Sequence, residues 1–238
     1  MPFDFFLAQT AGELGLSMPK DAKTAWMACH FSPYSTGISN SPRELPPGSM
    51  LILNDQIPTA NHDPDRIAQQ IGALVDKHHC ERVLLDFQRP DTAVTAAVTK
   101  AIVQTLPCPV GVSALYAQGL PCGVFLPPPP LHRSLEEYIA PWRGRPIWLE
   151  IMPQLTQYSI TQDGCRSKPL EYWEEFPHFD PVTHCRYAME ILDNAVSFTL
   201  SRGLAEWKSI LQNHPVDCLV GLYQEFAQPE AQATAFAQ

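Results

Sequence analysis

The side chains best suited to chemistry in this chain sit where apolar runs give way to polar residues. In the stretch Glu81 to Pro90, ERVLLDFQRP, the run Arg82-Val83-Leu84-Leu85 has the character of a buried strand. It turns polar at Asp86-Phe87-Gln88 and is closed by Pro90. Side chains alternate along a strand, so Leu84, Asp86 and Gln88 share one face while Val83, Leu85 and Phe87 share the other. An acid beside an amide at the C-terminal end of a buried strand points to a ligand, because parallel α/β sheets and barrels bind ligands there. Two further acids stand in comparable positions: Glu150 within PIWLEIM and Glu225 within CLVGLYQEF. A pair of carboxylates about 5–5.5 Å apart suits glycoside hydrolysis with retention, and a wider pair suits inversion. The competing roles are an ion pair with Arg145 for Glu150 and a solvated strand end for Glu225. Asn54 and Asp55, followed by Gln56, end another apolar run and are candidate ligand contacts or simply a turn. Among the aromatic residues, Tyr34, Tyr116 and Tyr223 are candidates for a sugar-stacking surface at the mouth of a barrel.

Other chemistries find less support. Cys29-His30, His78-His79-Cys80 and His184-Cys185 offer ligand atoms, but none has the paired spacing of a zinc motif. No metal or cofactor is expected. His78 and His79 fit the C-terminal end of a helix, where the dipole favours them. No G-x-S-x-G elbow and no Gly-rich phosphate loop is present. The net charge of −9 argues against nucleic acid and anionic membrane as partners. No apolar run reaches the ~20 residues needed to span a bilayer. The seven cysteines include no CxxC pair, and the N-terminal MPFDFFLAQT lacks a basic region, so the expectation is a reduced, cytoplasmic protein. Oligomeric state is not written in the sequence.

Elements that would position these residues alternate along the chain. Hydrophobic residues at 45% support a substantial core, and 238 residues suit a closed α/β barrel, which typically needs about 250. Strands are expected over Phe3 to Ala8, Ala25 to Phe31, Ser49 to Ile57, Arg82 to Gln88, Val110 to Ala117, Gly123 to Leu126, Pro146 to Met152 and Cys218 to Phe226. A helix should start at Asp63-Pro64, with Asp63 as N-cap, Pro64 at N1 and Ile67, Ile71, Leu74, Val75 and His78 at helical spacing. A second follows with Asp91 as N-cap and Val94, Val98 and Ile102 four apart. Helices are further expected over Leu131 to Trp142 and Leu204 to Leu211. Hairpin patterns around Gln162-Asp163-Gly164 and Asp193-Asn194 suggest a β-rich insertion over residues 155–201. The 24 prolines, about twice the usual ~5%, supply fixed turns. Strand–helix alternation implies parallel pairing, and the expected fold is an irregular (β/α)8 TIM barrel, one domain over residues 1–238, with a small antiparallel insertion in its C-terminal half.

The central stretch resembles the D-G-x-D-x-D-x-E motif of glycoside hydrolase family 18, the chitinase-like barrels. Glu81 falls at the first Asp, Arg82 at the Gly and Leu84 at the second Asp. Asp86 falls on the third Asp, Phe87 on the aromatic residue that often follows, Gln88 on the catalytic Glu and Pro90 on the Pro. The resemblance spans roughly residues 49–226, mostly in the order of elements. It implies an N-acetylhexosamine-containing glycan as ligand. It also implies a role for Asp86 in orienting the substrate's N-acetyl group, which attacks the anomeric carbon in this family's substrate-assisted route. The departures imply impairment: a neutral amide at Gln88 has no proton to deliver near neutral pH. The expectation is therefore a catalytically impaired, glycan-binding pseudo-hydrolase. The alternatives are an active glycosidase using Asp86 with Glu150 or Glu225, and a barrel that binds a non-sugar ligand or a protein.

Overall fold

A computed structural model describes residues 3–58, 61–90, 92–161, 164–170, 176–192, 195–214 and 216–226. Strands β1 (Asp4–Gln9), β2 (Ala22–Phe31), β3 (Ile38–Ser39), β4 (Met50–Asn54), β5 (Arg82–Asp86), β6 (Val110–Ser113), β7 (Gly123–Leu126) and β8 (Ile147–Glu150) come first. They are followed by β9 (Gln154–Thr161), β10 (Gly164–Pro169), β11 (His178–Asp180), β12 (Cys185–Leu192), β13 (Ala195–Arg202) and β14 (Cys218–Leu222). The helices are α1 (Pro64–His78), α2 (Ala93–Thr105), α3 (Ala114–Ala117), α4 (Leu135–Ile139), α5 (Leu204–Asn213) and α6 (Tyr223–Phe226).

Strands β1, β2, β4, β5, β6, β7, β8 and β14 pair in parallel, each with the next. Because β1 pairs with both β2 and β14, the sheet closes on itself as an eight-stranded barrel. The barrel is irregular: no helix joins β1 to β2 or β2 to β4, and β3 runs antiparallel on the end of β2. Between β8 and α5 the chain builds a separate five-stranded antiparallel sheet in the order β10-β9-β13-β12-β11.

Alternation along the strands divides the apolar residues into two sets. Phe6, Ala8, Ala25, Met50, Ile52, Leu84, Phe125, Trp148, Cys218 and Val220 fill the barrel interior. Leu51, Leu53, Val83, Leu85, Val112, Val124, Leu149 and Leu219 face the helices. Trp148 is the largest interior side chain, and it fits only because its neighbours are glycines. A Cβ at Gly111 would lie 2.2 Å from Trp148 Cε3, and one at Gly123 would lie 2.5 Å from Nε1.

The capping chemistry of α1 follows the sequence. Asp63 Oδ1 accepts from the backbone N–H of Asp65 at 3.0 Å and of Arg66 at 3.2 Å, satisfying two of the helix's orphan donors. His79 closes this helix in the left-handed region, at φ 51°. For α2 the cap is Thr92, whose hydroxyl accepts from Thr95 N at 3.0 Å; Asp91 lies outside the described residues, as do Gln162, Asp163, Asp193 and Asn194. Several expected elements are shorter or divided: Ser49 to Ile57 is strand over Met50–Asn54, and Pro146 to Met152 over Ile147–Glu150. The apolar run Val110 to Ala117 is strand only to Ser113 and helical from Ala114, Cys218 to Phe226 changes to helix at Tyr223, and α4 begins at Leu135 rather than Leu131.

Candidate active site

Interior-facing positions at the C-terminal ends of the barrel strands deliver side chains to the mouth. Asp86 ends β5 two positions beyond Leu84, and Glu150 ends β8 two positions beyond Trp148. Both line a cavity of about 350 Å³ together with Asn54, Asp55, Gln56, Gln88, Arg89 and Phe125. A second cavity of about 540 Å³ shares Asp86, Gln88, Phe125 and Glu150 and continues along Phe87, Ser113, Ala114, Leu115 and Pro127. The two carboxylates therefore stand on the wall common to two adjoining lobes.

The segment after Asp86 is fixed by two polar clamps. Asp55, buried at the end of β4, accepts from the backbone N–H of Gln88 at 3.1 Å and of Arg89 at 2.8 Å. On the other side, Ser113 Oγ donates to Leu85 O at 3.2 Å and accepts from Phe87 N at 3.0 Å. Arg89 returns to the neighbouring segment, its Nε donating to Asp55 O and its Nη2 to Gln56 O, each at 2.7 Å. Asn54 is held by donation to Met27 O at 2.8 Å. Gln88 Nε2 donates to both oxygens of Asp86, at 3.1 and 3.3 Å.

The acids of the mouth share one electrostatic environment. Burial pushes the Asp86 carboxyl up, the Gln88 amide opposes this, and the charge of Asp55 reinforces it. Burial pushes Glu150 up to about 7, with the charge of Asp86 adding to the shift. Glu225, in α6, is likewise raised to about 7, first by burial and then by the charge of Glu150. A carboxyl that holds its proton near neutral pH, beside another that is ionised, is the usual arrangement for general acid chemistry.

The structure brings Asp86, Gln88, Glu150, Asn54 and Asp55 together. Glu225 lines neither lobe, and its Oε2 is buried without a hydrogen-bond partner among the described residues. It is thus not the solvated strand end weighed as its alternative. Arg145 does not pair with Glu150; its guanidinium donates to the carbonyls of Ala117, Leu120 and Cys122. The three tyrosines lie elsewhere. Tyr116 is buried with its hydroxyl donating to Arg89 O and Pro90 O, and Tyr223 is buried with its hydroxyl on Ser17 O. Tyr34 is 96% exposed and lines neither lobe. Sequence reasoning missed Arg89 and Phe125. Phe125 has the interior parity of β7, and Arg89 adjoins Gln88, so strand alternation and adjacency were the signals.

A larger cavity, about 970 Å³, opens at the opposite end of the barrel, beside Asp4, Arg82, Arg145, Trp148 and Asp217. Its charged groups are engaged in structure. Asp4 pairs with Arg82 and with Lys23 at 3.0 Å, and Asp217 Oδ2 accepts from Ile147 N at 2.7 Å. The N-terminal face of such a barrel is where stability rather than chemistry is expected. Among the described residues no group of three or more His, Cys, Asp or Glu could hold a metal ion, and no helix is long and apolar enough to cross a membrane.

Comparison with known proteins places the fold. No protein-family model matches the sequence, and none of the curated proteins is similar to it. Among solved structures, the spore cortex-lytic enzyme SleL of Bacillus cereus superposes with a TM-score of 0.56 at 8% identity, over 99% of this chain and 75% of that one. SleL of Bacillus megaterium QM B1551 gives a TM-score of 0.50 at 8% identity, over 97% of this chain and 74% of that one. The chain therefore shares its barrel architecture with two lytic enzymes.

Proposed function

We propose that the protein is a glycoside hydrolase-like enzyme acting on an N-acetylhexosamine-containing glycan, with Glu150 as proton donor and Asp86 as its partner carboxylate. The observation that carries this is the placement of both acids on the shared wall of the mouth, with Glu150 held near 7 by burial and by Asp86. The resemblance of the central stretch to family 18 supplies the substrate class, and the fold shared with two cortex-lytic enzymes accords with it.

In this reading Glu150 gives its proton to the leaving glycosidic oxygen as the C–O bond breaks. The substrate's N-acetyl carbonyl oxygen forms the new bond to the anomeric carbon, oriented by Asp86. Water then attacks that carbon, losing its proton to the Glu150 carboxylate, and the N-acetyl group is released. Gln88 serves by hydrogen-bonding Asp86 rather than by proton transfer.

A second reading, a glycan-binding barrel without turnover, is favoured by one observation: the position matching the family's catalytic Glu is an amide committed to Asp86. Hydrolysis of fluorogenic N-acetylglucosamine oligomers by the wild type, Glu150→Gln, Asp86→Asn and Gln88→Glu separates the two. Turnover by the wild type that is lost in Glu150→Gln supports the enzyme. An inert wild type that binds the oligomers, and gains turnover as Gln88→Glu, supports the binding protein.

A further inference from the structure

We infer that the smaller lobe of the mouth recognises a carboxylate-bearing sugar, through the guanidinium of Arg89. This rests on the glycan reading above and names the kind of glycan. Among the described residues Arg89 is the only cation lining either lobe. Its geometry is fixed before any ligand arrives: Nε and Nη2 are held by the carbonyls of Asp55 and Gln56, and its backbone N–H is held by the Asp55 carboxylate. A long, flexible side chain that is already immobilised loses little further entropy on binding. Two carbonyl acceptors orient the guanidinium without forming an ion pair with it.

Among the described residues no carboxylate makes an ion pair with Arg89. The Asp55 carboxylate beside it is occupied by two backbone N–H groups. An exposed guanidinium, oriented by two carbonyls and without an ion-pair partner among the described residues, suits a carboxylate, which it binds with directional, charge-assisted hydrogen bonds. The acids around it sharpen the selection, because an anion placed anywhere else in this lobe meets like charge. The larger lobe, bounded by Phe87, Ala114, Leu115 and Pro127, has no such cation among its described residues, so the charged sugar belongs on one side of the Asp86–Glu150 wall.

The test uses calorimetry with three tetrasaccharides: an N-acetylhexosamine oligomer with ether-linked carboxylic acids on alternate sugars, the same oligomer with those acids converted to primary amides, and unmodified N-acetylglucosamine tetramer. The wild type is expected to bind the acid form at least 10-fold more tightly than the amide. Arg89→Gln should abolish that preference, and Arg89→Lys should keep part of it. A merely structural role for Arg89 would lower all three affinities together. Equal affinity of the wild type for acid and amide forms overturns this inference while leaving the glycan reading intact. Binding of none of the three overturns both. Because the comparison of acid with amide is made on the wild type, it stands even where a variant fails to fold.

Discussion

The side-chain amide of Gln88 bridges both oxygens of Asp86, at 3.1 and 3.3 Å, and so spends its donors on the charged form of that acid. Gln88→Glu would replace a donor with a like charge, and Asp86 would then ionise at higher pH. The expected outcome is an acidic limb of the pH–rate profile displaced upward in Gln88→Glu. An unmoved limb would show that Gln88 does not hold Asp86 ionised.

Glu150 is the proton donor of the proposed reaction, so Glu150→Gln should lower kcat by a factor of about 10²–10⁴ with a smaller effect on oligomer affinity. In the wild type the active form carries the proton on a group that titrates at about 7, and activity should fall as pH rises through that value. A profile flat from pH 6 to 8 would count against this assignment.

The same proton affects stability. Glu150 titrates at about 7 in the folded protein against an ordinary 4.5, so between these values the folded state holds a proton that the unfolded chain has released. Its contribution is complete below about pH 4.5 and is lost as pH rises through 7. Thermal melts of wild type and Glu150→Gln across this range should therefore diverge, with the wild type losing stability relative to the variant as pH rises.

Asp55 joins two segments through two backbone N–H donors and has both oxygens in use. An Asn there offers one acceptor and turns an NH₂ toward the other donor. Asp55→Asn should destabilise by about 1–3 kcal/mol, the cost of a buried group left unpaired. Urea denaturation would read this directly, and a loss well below that range would mean the clamp contributes little.

Trp148 occupies the space that a side chain at Gly111 or Gly123 would need. Gly111→Ala should destabilise by about 1–3 kcal/mol through overpacking. Trp148→Phe, which trims the ring, should cost less in the Gly111→Ala background than in the wild type. Simple additivity of the two changes would contradict the close approach.

The alternation rule accounts for what the sequence disclosed of the mouth and for what it concealed. Asp86 and Glu150 could be placed inside because Leu84 and Trp148 precede them at the same parity. Applied as strictly to the tyrosines, the rule would have moved two of them: Tyr116 shares the outward parity of Val110 and Val112, and Tyr223 that of Leu219, in the outer core. The strand ends were blurred because Ala114-Leu115-Tyr116-Ala117 continues the apolar run of β6 with no Gly or Pro to mark the change to helix. α1 was plain because its start signal, Asp63-Pro64, is local. Arg89 was not, because its partners, Asp55 and Gln56, lie more than 30 residues earlier and meet it only when β4 and β5 pair.

Closure of the barrel, finally, sets the order in which the chain can finish itself during synthesis. β1 leaves the ribosome long before β14 does, yet one of its edges is satisfied only by β14, in pairs such as Asp4 with Cys218. At ordinary elongation rates that partner arrives on the order of ten seconds or more later. Until then β1 and β8 each present an open edge, whereas the antiparallel sheet β9–β13 joins near neighbours and needs nothing downstream of Arg202. The nascent chain thus passes through a stage with a finished lateral sheet and an unclosed barrel, in which the exposed strand edges are the sites most in need of chaperone cover.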